Sequence, residues 1–308
     1  MLKQVLQAMD LLDHPQANGE KVAQALQAAG ECRVEVKRVE GEKGSTDFIK
    51  VWIPGSSGKA SGGEAPTLGV VGRLGGVGAR PQVVGLVSDA DGAVVALSTA
   101  LKLVEMAERG DRLRGDVVVA THVCPNAPIK PHQPVPFMGS PVDIQTMNRE
   151  EVDPAMEAVL SVDTTRGNRV ANWRGFAITP TVKEGWVLKA SDDLLDIYEW
   201  VTGEPPKVCP ITTQDITPYG NGLYHINSIM QPATVTTAPV VGVALTTTVP
   251  VPGCATGASQ PTDIEAAARF CVEVAKRFGE GVCRFYDPQE WETIERLYGA
   301  HTHLQSPG

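Results

Sequence analysis

The feature that most narrows the fold is a change of pattern at Thr67, after which short apolar runs alternate with amphipathic segments. Leu68 to Gly72, Asp116 to Thr121 (DVVVAT), Val159 to Asp163 (VLSVD) and Pro239 to Thr246 (PVVGVALT) are too short to read as helices. They are apolar on both alternating faces, as strands buried on two sides are. Helical spacing fills the intervals. Val94, Leu97, Leu101 and Val104 share one face of Gly92 to Arg109, with Lys102, Glu105 and Arg109 opposite and Gly110 as the stop. Ile264, Ala267, Cys271, Val274 and Phe278 repeat that spacing behind an expected capping box of Thr262 and Glu265. Asp287, Pro288 and Glu290 open a last helix carrying Trp291, Ile294 and Leu297. Strands alternating with helices predict a mixed, largely parallel central sheet with helices on both faces, a three-layer α/β sandwich.

Ahead of Thr67, Leu2, Val5, Leu6, Met9 and Leu12 predict a helix, and Val22 and Leu26 a second one after an Asn18-Gly19 break. Arg33 to Val39 and Thr46 to Ile53 read as strands. Gly55 to Pro66 is rich in glycine and serine and reads as a flexible connection, too short to separate two domains. Residues 1–308 are therefore expected to form a single α/β domain.

Composition removes several classes of function. A formal charge of -9 argues against a sequence-independent grip on nucleic acid. No run reaches the roughly 20 apolar residues that span a bilayer. The six cysteines are scattered without a Cys-x-x-Cys pair, and the opening residues lack the pattern of an export signal, so reduced thiols and a cytoplasmic location are expected. Homo-oligomerisation is compatible with such a chain.

Ligands of such sheets bind beyond the carboxyl ends of the strands. Arg73 follows the first buried strand in a run with Gly72, Gly75, Gly76 and Gly78, which either turns tightly or exposes amides to an anion. Asp89 and Asp91 precede the Gly92 helix, as caps or as metal ligands. Asp163 ends an apolar strand, where a carboxylate is costly to bury unless it is paired. His122 and Cys124, spaced to share a metal, open a proline-rich segment that also holds His132. Two later stretches rich in small polar groups carry Asp215, Asn221 and His225, and then Cys254, Thr256 and Ser259.

Segments such as GEKGSTDFIKV, GRLGGVGARP, LVSDADGAV, ATHVCPNAP, PVPFMGSPVD, VDTTRGNRV and PITTQDITPYGNGLYH resemble a bacterial domain-of-unknown-function family (number 1177). More distantly, the order of elements resembles the zinc-dependent aminopeptidase and carboxypeptidase superfamily. That resemblance implies a zinc-peptidase-like fold, with Asp89 at the metal-bridging position and Asp163 at the later metal aspartate. Three places depart from it. Gly72-Arg73 stands where the superfamily has a histidine, Cys124-Pro125 where it has a Glu-Glu pair, and GCATGASQP lacks the late histidine.

Three functions follow as expectations. The first is a hydrolase for a small amide or short peptide-like substrate, an amidohydrolase or peptidase-like enzyme. It would hold a divalent metal such as zinc on Asp89, Asp163 and His122, with His122 or His225 as base. The second is a non-catalytic small-molecule or anion-binding protein on a degenerate peptidase fold, with Arg73 pairing to an aspartate or an anionic ligand. The third is a metal-free enzyme with Cys124 as nucleophile and His122 or His132 as base. Substrate contacts are expected from Arg73, Asp91, Asn126, Thr164, Asn221 and Thr256.

Overall fold

In a computed structural model, which describes residues 1–73 and 85–306 (Phe137 by its backbone alone), the apolar runs become adjacent strands of one mixed sheet. β1 (Arg33–Gly41) and β2 (Gly44–Ile53) form an antiparallel hairpin at one edge. β3 (Leu68–Gly72), β4 (Val117–Val123), β7 (Ala158–Thr164) and β11 (Val240–Thr246) form the parallel centre, in the order β4-β3-β7-β11. β2 pairs antiparallel to β4. Beyond β11 the sheet is closed by the short strands β8 (Gly175–Ile178), β9 (Val182–Lys183) and β10 (Trp186–Val187), each running antiparallel to its neighbour. A separate hairpin of β5 (Ile129–Lys130) and β6 (Phe137–Met138) lies in the proline-rich segment.

Alternate residues of the central strands enter two different cores, as the period of two requires. Val70, Val119, Leu160, Val162, Val241 and Val243 face one core together with helices α3 (Asp91–Glu108) and α6 (Pro261–Gly279). α1 (Leu2–Leu12), α2 (Gly19–Ala29) and α5 (Asp192–Thr202) complete that layer. Val71, Val118, Ala120, Val159 and Ala244 face the other core, covered by the 3-10 turns Thr213–Ile216 and Ser228–Thr234. α4 (Ile144–Glu151) lies against β2 and the second of these turns. α7 (Pro288–Tyr298) starts at Asp287, whose carboxylate accepts the Gln289 and Glu290 amides. Among the described residues no helix is long and apolar enough to cross a membrane.

Two sequence expectations are corrected. α6 forms no capping box: it begins at Pro261, Thr262 Oγ1 lies 3.4 Å from Asp263, and Glu265 pairs with Arg269 at 2.8 Å. A proline at the first helical position brings the right φ and has no amide to satisfy, so the start moves ahead of Thr262. The Gly55–Pro66 connection is also not loose. Asp116, at the foot of β4, accepts the amides of Gly55 and Ala60, both at 2.8 Å, and the segment folds into a 3-10 turn at Lys59–Ser61. Asp116→Ala removes two charge-assisted bonds and is expected to lower stability by roughly 3 kcal/mol, read by urea denaturation. A loss under about 0.5 kcal/mol would show that the loop does not depend on this carboxylate.

Candidate functional site

The carboxyl ends of β3, β4 and β7 lie side by side, and the polar residues that follow them are unusually well buried. Arg73 is fully buried directly after β3, and its amide donates to Val162 O of β7 at 2.7 Å. The first turn of α3 packs on this backbone so closely that a Cβ on Gly92 would lie 2.7 Å from Val162 O and 2.8 Å from Arg73 O. Glycine is required there by the approach of helix to strand.

Arg73 Nη1 donates to Glu151 Oε2, an ion pair in which both side chains are sealed from solvent. Arg73 Nε and Nη2 have no partner among the described residues, nor does Glu151 Oε1. Burial pushes Glu151 up to about 7, and the guanidinium opposes that rise. His122, still inside β4, points its Nε2 at Glu151 Oε1 from 4.0 Å, and this nitrogen also lacks a partner. Its ring stacks on Phe48 with centroids 5.2 Å apart. Thr46 Oγ1 lies 2.8 Å from His122 Nδ1 and 3.1 Å from Val123 O. The carbonyl can only accept, so it takes the single hydroxyl proton and the hydroxyl accepts from Nδ1–H. Nε2 is then the bare, lone-pair nitrogen. Burial and the nearby Arg73 charge press His122 down to about 3, so the ring is neutral.

Asp163 is 3% exposed at the end of β7. Its Oδ1 accepts the Thr164 amide at 2.7 Å and its Oδ2 accepts Ser228 Oγ at 2.9 Å. Burial pushes it up to about 7, Arg73 and the two hydrogen bonds hold it back, and the Asp89 charge adds to the rise. Asp89 is half-buried in the 3-10 turn Ser88–Ala90, with Oδ2 accepting the Met138 amide at 3.1 Å and its own amide on Gly253 O at 3.0 Å. Desolvation raises it as well. A Cβ on Gly253 would collide with the Asp89 carboxylate, so Gly253→Ala is expected to displace that group. The check is the Asp163 carboxyl pKa, read by carbon NMR, which should fall as the neighbouring charge moves away; an unchanged value would mean that Asp89 stays in place.

The other expected residues lie in different settings. Asp91 is buried and accepts Arg166 Nη2 at 2.7 Å and Ser259 Oγ at 2.6 Å; burial lifts it to about 6. Arg166 and Thr164 also donate to Ser88 O, both at 3.0 Å, so this cluster stitches the loops after β7 and β11 to the start of α3. His225 is half-buried and stacked on Tyr219 at 4.3 Å, and each ring nitrogen faces a loop carbonyl, Thr217 O and Leu223 O, at 3.1 Å. Cys124 is buried beside Val87 and Met138, and its thiol is pushed up to about 11, where thiolate is scarce. Asn126, His132, Asn221 and Thr256 are exposed on loops. Gly75, Gly76 and Gly78 lie outside the described residues.

Asp89, Asp163 and His122 do not assemble a metal cage: among the described residues no three His, Cys, Asp or Glu side chains converge as a cation requires. Asp163, Glu151 and His122 all feel the charge of Arg73, while Asp89 feels that of Arg166. Among the described residues the donor set does not gather as a divalent ion requires.

Glu151 is the central residue that the sequence reading missed, although a signal for it exists. Ile144, Met147 and Glu151 share one face of α4, behind the Asp143 cap that accepts the Thr146 amide, so a carboxylate at that third position belongs to the buried side. Ser228 and Thr46 carry no local signal, because they reach the site from a distant loop and a neighbouring strand.

A family model described as a protein of unknown function (DUF1177) matches residues 37–308. The chain belongs to that family. No curated protein matches the family member described here at a significant level. Among solved structures, leucine aminopeptidase from Caenorhabditis elegans is similar at 12% identity and a TM-score of 0.50. The similarity covers 89% of this chain and 66% of that one, so the chain spans a little under two thirds of the aminopeptidase. At this identity the likeness establishes a peptidase-like α/β fold for the DUF1177 chain.

Proposed function

We propose that the chain binds a small amide- or peptide-like molecule at the carboxyl ends of β3, β4 and β7. In this reading Arg73 supplies the fixed positive charge that a metal supplies in zinc peptidases. The observation that carries it is the state of Arg73: a fully buried guanidinium with, among the described residues, one carboxylate partner and two nitrogens without any. Leaving a buried donor unpaired costs roughly 1–3 kcal/mol, more when it is charged, so such a group calls for an occupant to complete it. The planar guanidinium fork suits a carbonyl or carboxylate oxygen. Asn126 and Thr256, exposed on the loops that leave β4 and β11, would meet the outer part of the ligand, and Thr164 and Asp91 would hold the loops in place.

The test is calorimetric titration of a small carboxylate, propanoate, into the full chain and into Arg73→Lys. The lysine keeps the charge and loses the fork, so affinity is expected to fall at least about tenfold, or 1.4 kcal/mol. Equal affinity of the two forms, or silence from propanoate and propanamide alike, would contradict the reading.

A hydrolase is the second reading, favoured by Asp163. A carboxyl near 7 beside a guanidinium is part-ionised at neutral pH, able to take a proton from water while Arg73 stabilises a developing oxyanion. Amide turnover abolished by Asp163→Asn with binding retained would select this reading. Turnover unchanged in that variant would remove Asp163 from the chemistry.

A further inference from the structure

The unpaired atoms around Arg73 are not all of one kind, and their arrangement says more about the ligand than its charge. Among the described residues, Arg73 Nε and Nη2 are donors without acceptors, while Glu151 Oε1 and His122 Nε2 are acceptors without donors. The two acceptors lie 4.0 Å apart. That is less than twice an N–H···O length of about 2.9 Å, so one nitrogen placed between them reaches both. Such a nitrogen must carry two hydrogens, because both positions accept: Glu151 Oε1 in the ionised form that the bonded guanidinium favours, and His122 Nε2 because Thr46 fixes the proton on Nδ1. The guanidinium is bonded to the other oxygen of the same Glu151 carboxylate, which keeps the free donors beside the acceptor pair.

Resting on the arginine-centred binding reading, we infer that the preferred ligand is a primary carboxamide. Its oxygen takes Arg73 Nε and Nη2, and its NH2 group is shared by His122 Nε2 and Glu151 Oε1. A carboxylate satisfies the arginine and leaves two acceptors facing its own negative oxygens. A secondary amide, the peptide bond included, has one hydrogen too few and puts carbon where an acceptor waits. The site therefore separates unsubstituted amides from peptides, a distinction of the kind that buried polar groups enforce strongly.

The experiment compares propanamide, N-methylpropanamide and propanoate on the full chain by calorimetry. In parallel, nitrogen NMR observes the His122 ring. Propanamide is expected to bind at least about tenfold tighter than either analogue. On its addition the His122 Nε2 resonance should shift to that of a hydrogen-bonded acceptor while Nδ1 stays protonated. N-methylpropanamide binding as tightly as propanamide, or an Nε2 signal that does not respond, would overturn the inference. Propanoate binding in an Arg73-dependent way with both amides silent would overturn it while leaving the arginine-centred reading intact. Silence from all three would end both. Glu151→Gln, which replaces one acceptor by an amide of the same shape, is expected to erase the preference for propanamide; if that variant does not fold, the ligand series and the His122 signal decide alone.

Discussion

Arg73→Met is expected to lower the free energy of unfolding by about 3–5 kcal/mol, the usual cost of leaving a buried charge without its partner. Arg73 and Glu151 are both sealed from solvent, and Asp163 also draws on the same guanidinium. Removing the cation leaves two desolvated carboxyls, which then stay protonated over a wider pH range. Adding Glu151→Leu to the first variant removes one of those carboxyls, and the pair is expected to recover a large part of the loss. Urea denaturation of the two single variants and the double variant gives the coupling energy directly. Additive losses, or a single-variant cost below about 1 kcal/mol, would mean that the ion pair does not organise this region.

Asp163→Asn is expected to stabilise the protein at alkaline pH and to change it little in mild acid. Asp163 has a value of about 7 in the folded chain against an ordinary 3.8. Between those two values the folded state holds a proton that the unfolded state has released. Unfolding then releases protons as pH rises through the window, so stability declines from about pH 4 to pH 7 and levels off above. Asparagine cannot ionise and escapes this decline. The gain at pH 8 should reach roughly 2–4 kcal/mol, discounted because Arg73 shares the charge. Glu151, near 7 as well, titrates in the same window, so the variant should flatten the wild-type profile only in part. A variant weakened equally at pH 5 and pH 8 would show that the carboxylate is paired and ionised throughout.

The parts of the fold that were legible in the sequence are those where burial leaves a local trace. β3 is legible to the residue because both faces of the strand are apolar, and β7 and β11 to within a residue at each end. α3 shows its buried stripe in its spacing. The helix α4 escaped because its eight residues carry few apolar positions, and Glu151 hides on its inner face as an ordinary surface residue would. β4 runs past its apolar stretch to Val123 for a related reason. His122 is polar by type yet sits inside the strand, buried by Phe48 and bonded to Thr46 of the neighbouring β2. Asp89 and Asp163 stand out by their places at helix and strand ends, and the Asp89 charge adds to the rise of Asp163. What no local pattern reveals is the occupant of the space among the acids. That depends on a single arginine meeting Glu151, 78 positions away, a contact of tertiary structure alone.

The central claim is that a guanidinium, and not a metal ion, provides the positive charge at these strand ends. Untagged protein equilibrated with zinc, dialysed and analysed for metal tests it most directly. The account expects less than about a tenth of an equivalent retained, with Asp89→Asn and Asp163→Asn behaving as the wild type does. A full equivalent held by the wild type and lost in both variants would contradict it.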